Sequence, residues 1–217
     1  MSTTQAPQGD KNPPSSLKAP KRVKAAEEAE TPPPPRERIV DSACELFRRF
    51  GIRGIGVDAI AEAAKTNKMT LYRQFGSKDD LVCEALKRVS EKDVLFWQEI
   101  EAAHPGDARA QLTGWIDNRA RCLKREPSGC DLSNAAVELK DAGHPAHGLI
   151  DSFKRSQRDR LEALCVRAGA RDAGLLADTL SMLLEGARVS RQATGTDGPS
   201  ERFKSACEAA IRSFSAG

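Results

Sequence analysis

Residues 57–81 read VDAIAEAAKTNKMTLYRQFGSKDDL, and this stretch decides the fold. In VDAIAEAA, Val57, Ile60, Ala61 and Ala64 recur at helical spacing and face one way. Lys65 to Asn67 suit a turn. In KMTLYRQF, Leu71 and Phe75 lie four apart on an inner face, and Gly76 ends the pattern. Ser77 then caps a further helix, with Asp80 three residues on completing a capping box. Two short helices joined by a tight turn make a helix-turn-helix unit, whose second helix fits the major groove of DNA.

Charge in this stretch is unevenly placed. From Thr66 onward Lys68, Arg73 and Lys78 appear before any acid, which first comes at Asp79. With Leu71 and Phe75 turned inward, Lys68, Thr70, Tyr72, Arg73 and Gln74 project elsewhere and offer donors to phosphates and base edges. The amides opening the next helix, together with Lys78, make an anion site. For such a helix taken alone the alternative is a solvated face, with Tyr72 packing by its ring.

Upstream, PRERIVDSACELFRRFG (residues 35–51) places Ile39, Ala43, Leu46, Phe47 and Phe50 at helical spacing. Proline suits its first turn, and Gly51 suits a left-handed cap. Residues 1–35 hold eight of the chain's twelve prolines, one Leu, one Val and no aromatic residue. They are expected to form a disordered Pro-rich tail, since they bury too little apolar surface to offset ordering. Downstream, a fourth helix runs to His104-Pro105-Gly106 and a fifth covers 107–126, stopped by Pro127-Ser128-Gly129. Helices follow over 132–143, 145–169, 173–193 and 198–214. No repeat and no strand is evident, so the fold class is all-α, with nine helices.

The totals narrow the function classes. A net charge of +3 over 217 residues gives no bulk attraction to nucleic acid, so any such argument is local. No apolar run approaches the ~18 residues of a membrane span, and no signal-peptide core is present, which points to a cytoplasmic protein without a membrane partner. The six cysteines are dispersed without a CxxC pair and read as reduced thiols. No GxSxG, phosphate-binding loop or paired carboxylate marks an enzyme. His104, His144 and His147 offer no third ligand beside GHPAH, so no metal is expected; no cofactor is implied either.

The segments ELFRRFGIRG, VDAIAEAA and TLYRQFGSKDDLV resemble the DNA-binding domain of the TetR/AcrR-type repressor family, and the nine-helix layout is similar over residues 36–214. The resemblance implies a homodimer on a double-stranded DNA operator, a pocket in the C-terminal part, and repression relieved by a small-molecule effector. It places Tyr72 and Lys78 on operator phosphates, and Lys68, Met69, Thr70, Arg73 and Gln74 on or near base edges. The expected division is tail 1–35, DNA-binding domain 36–82, and ligand-binding and dimerisation domain 83–217. Two departures stand out. Lys65 occupies a position where most members have Gly, which implies either a slightly strained turn or a phosphate contact by Lys65. Gly56 replaces a Thr or Ser, so the second helix is weakly capped.

Two apolar stripes remain. One comprises Leu176, Leu180, Leu183, Leu184 and Ala187, the other Phe203, Ala206, Cys207, Ala210, Ile211 and Phe214. By themselves they suit a subunit core or an interface. The resemblance turns Leu176, Leu180, Leu183, Leu184, Phe203, Cys207, Ile211 and Phe214 toward a four-helix dimer interface. Trp97, Trp115, Asn118, Cys122, Cys130, Asn134, Phe153, Met182 and Glu185 have the composition of a pocket for a mostly apolar molecule, and equally of a core. Cys130, in a Gly-led loop before a short helix, is a candidate sensor of electrophiles or oxidants, or else a small buried residue. The competing function is a small all-helical ligand-binding protein or enzyme without DNA binding.

Overall fold

The computed structural model describes residues 32–125 and 128–215. The expected tail, up to Thr31, lies outside the described residues, as does Pro127 of the expected stop after the fifth helix. Nine α-helices are present among the described residues: α1 (Pro35–Phe50), α2 (Val57–Ala63), α3 (Lys68–Phe75), α4 (Lys78–Ala103), α5 (Ala108–Arg125), α6 (Asp131–Glu138), α7 (Ala146–Arg167), α8 (Ala173–Thr194) and α9 (Phe203–Phe214). None is long and apolar enough to cross a membrane. The expected sixth helix stops early, at Glu138, because Leu139 leaves the helical conformation and buries its side chain. The ninth starts late: two 3₁₀ turns, Gly195–Asp197 and Pro199–Arg202, occupy its expected beginning.

Local chemistry explains the helix ends. Gly51 closes α1 by donating its amide to the Phe47 carbonyl at 2.9 Å. Its φ of 78° with ψ of 161° is not the left-handed helical pair expected from the sequence but the extended positive-φ region reserved for glycine. The Asn67 side chain caps α3 by accepting the Thr70 amide at 2.8 Å, a role the sequence reading missed. The Ser77 hydroxyl accepts the Asp80 amide at 3.0 Å and lies 2.6 Å from the Asp80 carboxylate. Gly56 gives α2 no side-chain cap, and Lys65 is the non-glycine residue with positive φ, +51°, among the described residues.

The helices bury three apolar clusters. Ile39, Val40 and Ala43 of α1 meet Val57, Ile60 and Ala61 of α2, Leu71 and Phe75 of α3, and Leu81 of α4. Around this cluster Arg38 Nε donates to the Ala64 carbonyl at 3.0 Å, and Arg88 reaches Glu37 and Asp41 at 2.5 and 2.7 Å. A second cluster joins Ile52, Val82 and Leu86 to Leu132, Ala135 and Leu139 of the α6 region and Ile150 of α7. The third gathers α4, α5, α7, α8 and α9, with Phe96, Trp115, Leu161, Leu164, Leu180 and Phe203 inside. Phe50 corrects the first-helix reading: it is exposed, with the Arg49 guanidinium 5.1 Å from its ring centroid.

Five of the eight expected interface residues need a larger correction. Leu176, Leu180, Leu184, Phe203 and Cys207 are all buried in the third cluster, and Leu183, Ile211 and Phe214 pack half-buried against it. The stripes of α8 and α9 face their own subunit, because these two helices cover α5 and α7. The apolar surface left outside on α8 is a different line: Leu175, Met182 and Val189, at steps of seven residues.

Gly56 supplies a direct test of the capping argument. Its φ of −86° and ψ of 159° suit any residue, and an added Cβ meets nothing within 4 Å. Gly56→Ser is expected to raise stability by about 0.5–1 kcal/mol, through a new cap and a less flexible unfolded chain. A urea titration should show a higher midpoint at unchanged slope; an unchanged or lower midpoint would contradict the argument.

Candidate nucleic-acid interface and internal cavities

The outer face of α3 is set by what holds its inner face. Leu71 is fully buried and Phe75 nearly so, with the Arg36 guanidinium 5.2 Å from the Phe75 ring centroid. Lys68, Met69, Tyr72, Arg73 and Gln74 are consequently exposed, and Thr70 is half-buried. Met69, at 83% exposure, stands out as an apolar side chain pointing at solvent. Lys68 is not free on this face: its ammonium pairs with Asp58 of α2 at 3.1 Å.

Lys78 lies deeper than the sequence reading placed it. Its Nζ donates to the Ile52 and Ile55 carbonyls at 2.6 and 2.5 Å, so two of its three N–H donors hold the loop between α1 and α2. Burial lowers its pKa, opposed by the charges of Glu138 and Asp79. Glu138, at the end of α6, grips the same loop by accepting the Ile52 and Arg53 amides at 2.9 and 2.5 Å. At the other end of α6, Asp131 takes a two-toothed contact from Arg48 of α1, with Nε at 3.1 Å and Nη2 at 2.7 Å. These contacts span more than 80 positions in sequence, and no local pattern announces them.

Behind this region two cavities flank Arg119. The first, of about 490 Å³, is lined by Trp97, Trp115, Leu161, Met182 and Leu184 together with Arg119, Lys154, Gln157, Arg158 and Glu185. The second, of about 450 Å³, is lined by Asn118, Cys122, Cys130 and Phe153, and by Asp93 and Arg188. Arg119 and Gln157 line both. The residues expected to share one pocket are therefore divided between two. Asn134 joins neither: its amide donates to the Ser128 carbonyl at 2.7 Å, and it lines a small crevice against α1. Sequence reasoning missed Arg119 and Lys154, because charged residues on an amphipathic helix read as solvated surface.

Lys154 organises one end of the first cavity. Its ammonium donates to Glu185 at 2.6 Å and to the hydroxyl of Ser133, on α6, at 2.7 Å. Arg188 reaches the same Glu185 carboxylate at 2.9 Å. Against the desolvation that acts on Glu185, these cations hold its pKa below the usual carboxylate value. Cys130, half-buried at the start of α6, sits 3.9 Å from Lys154. Burial pushes the Cys165 thiol up to about 11 and Cys207 up to about 12, as befits packing residues. His144 accepts the Ala146 amide at 3.1 Å and turns its other nitrogen to the Asp79 carboxylate at 3.4 Å, and His147 contacts the Asp141 carbonyl at 2.9 Å.

Residues 39–85 match the family model described as bacterial regulatory proteins, tetR family. The HTH-type transcriptional regulator YjdC of Escherichia coli (strain K12) is 25% identical over 153 residues, covering 70% of this chain and 80% of that protein. The HTH-type transcriptional repressor SCO4008 of Streptomyces coelicolor is 34% identical over 89 residues, 41% of this chain and 42% of that protein. Among solved structures, SCO4454, a TetR-family transcriptional regulator from Streptomyces coelicolor, superposes with a TM-score of 0.77 at 27% identity, covering 84% of this chain and 96% of its own. These relatives are regulators of transcription rather than enzymes.

The grip of Glu138 on the α1–α2 loop is open to measurement. Glu138→Ala removes a charged acceptor from two amides and is expected to lower stability by roughly 1.5–3 kcal/mol. Amide exchange at Ile52 and Arg53 should accelerate more than exchange in α5 or α7. Uniform acceleration across the chain would show that the contact is not local to the loop.

Proposed function

We propose that this chain is a transcriptional regulator of the TetR family that works in the cytoplasm as a ligand-responsive repressor: a homodimer on a palindromic operator, released by a small-molecule effector. In this reading residues 36–82 bind DNA, residues 83–217 bind ligand and dimerise, and α4 runs through both. The observation that carries it is the exposed face of α3, backed by a buried Leu71 and Phe75. A helix held so firmly from behind presents a fixed set of groups to a major groove. Lys68, Met69, Thr70, Arg73 and Gln74 approach base edges, and Met69 suits the methyl group of thymine. Tyr72 and the third N–H of Lys78 contact phosphates and set the register. The Lys68–Asp58 pair opens on binding.

Dimerisation places two copies of α3 about 34–36 Å apart, on successive major grooves. The exposed line Leu175, Met182 and Val189 on α8 supports a helix-to-helix contact between subunits, in place of the buried stripes. Ligand response is supported by α6. Its Ser133 lines the first cavity, while Asp131 and Glu138 hold the end of α1 and the loop after it. A ligand that shifts α6 alters the seat of the DNA-binding helices.

Two measurements test this. Lys78→Ala should weaken operator binding and lower the magnitude of the salt slope by about 0.9, as for one lost phosphate contact; a weakened complex with an unchanged slope would restrict Lys78 to bracing the loop. Met182→Glu should convert a species of twice the 23.5 kDa chain mass to one of single mass in sedimentation, with loss of operator affinity. A persistent dimer would move the interface away from this line of α8.

A further inference from the structure

We propose that the cavity between Trp97, Trp115 and Arg119 takes a small organic monoanion, an aromatic body carrying one carboxylate or sulfonate group that docks on Arg119. The proposal rests on the ligand-responsive reading above and gives that ligand a chemistry.

The cavity supplies the body's environment first. Its volume of about 490 Å³ and its walls of Trp97, Trp115, Leu161, Met182 and Leu184 suit a flat apolar group. The charged lining then sets the sign. Of its four charged side chains three are cations, Arg119, Lys154 and Arg158; Lys154 and Arg188 hold the single carboxylate, Glu185, and Arg158 is paired with Glu162 and Asp178 outside the lining, which leaves Arg119 as the cation for a ligand. Asp93, the partner of Arg119 at 2.7 Å, lines the second cavity and not the first. On the side of the first cavity Arg119 therefore meets no lining carboxylate of its own.

The hydrogen-bond inventory points the same way. Trp97 Nε1 and Arg119 Nε are both shut off from solvent and both lack a partner. Each is a donor, and among the described residues no buried side-chain carboxylate or amide oxygen is left unpaired. Both donors lie behind the cavity wall rather than on it, so a ligand oxygen reaches them only after a side-chain movement. Arg119 is well prepared to receive one. Its side chain is 11% exposed, and its guanidinium lies 4.0 Å from the Phe96 ring centroid and 5.8 Å from that of Trp115. A planar, pre-oriented guanidinium keeps unused N–H groups for a second oxyanion beside the Asp93 contact.

The test uses two dyes with one body. 8-Anilinonaphthalene-1-sulfonate carries the anion, and N-phenyl-1-naphthylamine lacks it. The chain's two tryptophans both line this cavity, so energy transfer from tryptophan to dye reports binding near it, and the response of the Arg119 and Trp97 variants assigns the signal to this site. Wild-type protein should bind the sulfonate about tenfold more tightly than the neutral dye, the scale of one hydrogen bond to a charged group. The double variant Arg119→Met, Asp93→Asn removes both charges and leaves neither unpaired. In it the preference should fall below about twofold while the neutral dye binds as before. Trp97→Phe, monitored through Trp115, should lower sulfonate affinity more than neutral-dye affinity, and serves where the double variant does not fold. Equal affinity for the two dyes in wild type overturns the assignment. So does an undiminished preference in the double variant or, where that variant does not fold, in Trp97→Phe. Operator release is scored separately. Sulfonate binding at Arg119 without release upholds the site and counts against the ligand-responsive reading, whereas release by the neutral dye alone overturns the site.

Discussion

The loop between α1 and α2 is the constraint on which the arrangement depends. Ile52 to Ile55 are short of regular partners, and their backbone is satisfied from two directions. Lys78, from the first turn of α4, takes the Ile52 and Ile55 carbonyls, and Glu138, from the last turn of α6, takes the Ile52 and Arg53 amides. Opposite charges thus hold opposite ends of the Ile52–Arg53 peptide unit. Ile52 is buried beneath them, against Val82 and Leu86 of α4 and Leu132 and Leu139 of the α6 region. The position of α2, and through it of α3, follows from how this loop is seated. Gly51 is part of the same fit: a Cβ there would stand 2.9 Å from the Glu138 carboxylate.

This seating explains why α6 is short and why it is placed where it is. With Asp131 on Arg48 and Glu138 on the loop, both ends of α6 are tied to α1 and the segment that follows it. Its middle contributes Leu132 and Ala135 to the apolar cluster below and Ser133 to the Lys154–Glu185 network. Eight residues therefore connect a cavity wall to the end of α1. Continuing the helix through Lys140, as its sequence allows, would draw Leu139 out of the cluster.

The helix-turn-helix segment was readable because its cues are local. Leu71 and Phe75 four apart, a breaker at Gly76 and a cap at Ser77 each act within one turn, and the structure follows them. The strain at Lys65 and the bare cap at Gly56 were readable for the same reason. The apolar stripes of α8 and α9 were visible too, but a stripe states only that it is buried, not against which chain. Leu180 and Cys207 are fully enclosed by their own subunit. The cavity was legible in its aromatic residues, Trp97 and Trp115, and not in Arg119, whose burial depends on Asp93 arriving from a neighbouring helix. Lys78 was expected on an operator phosphate; its two carbonyl partners, Ile52 and Ile55, lie 26 and 23 positions away, beyond any periodic pattern.

Arg119 has one more consequence, since it belongs to both cavities at once. The partition between two chambers is a side chain rather than a backbone element, with Gln157 beside it. The division between the chambers is thus set by one side chain, while the contacts that seat the α1–α2 loop, at Asp131 and Glu138, lie apart from it.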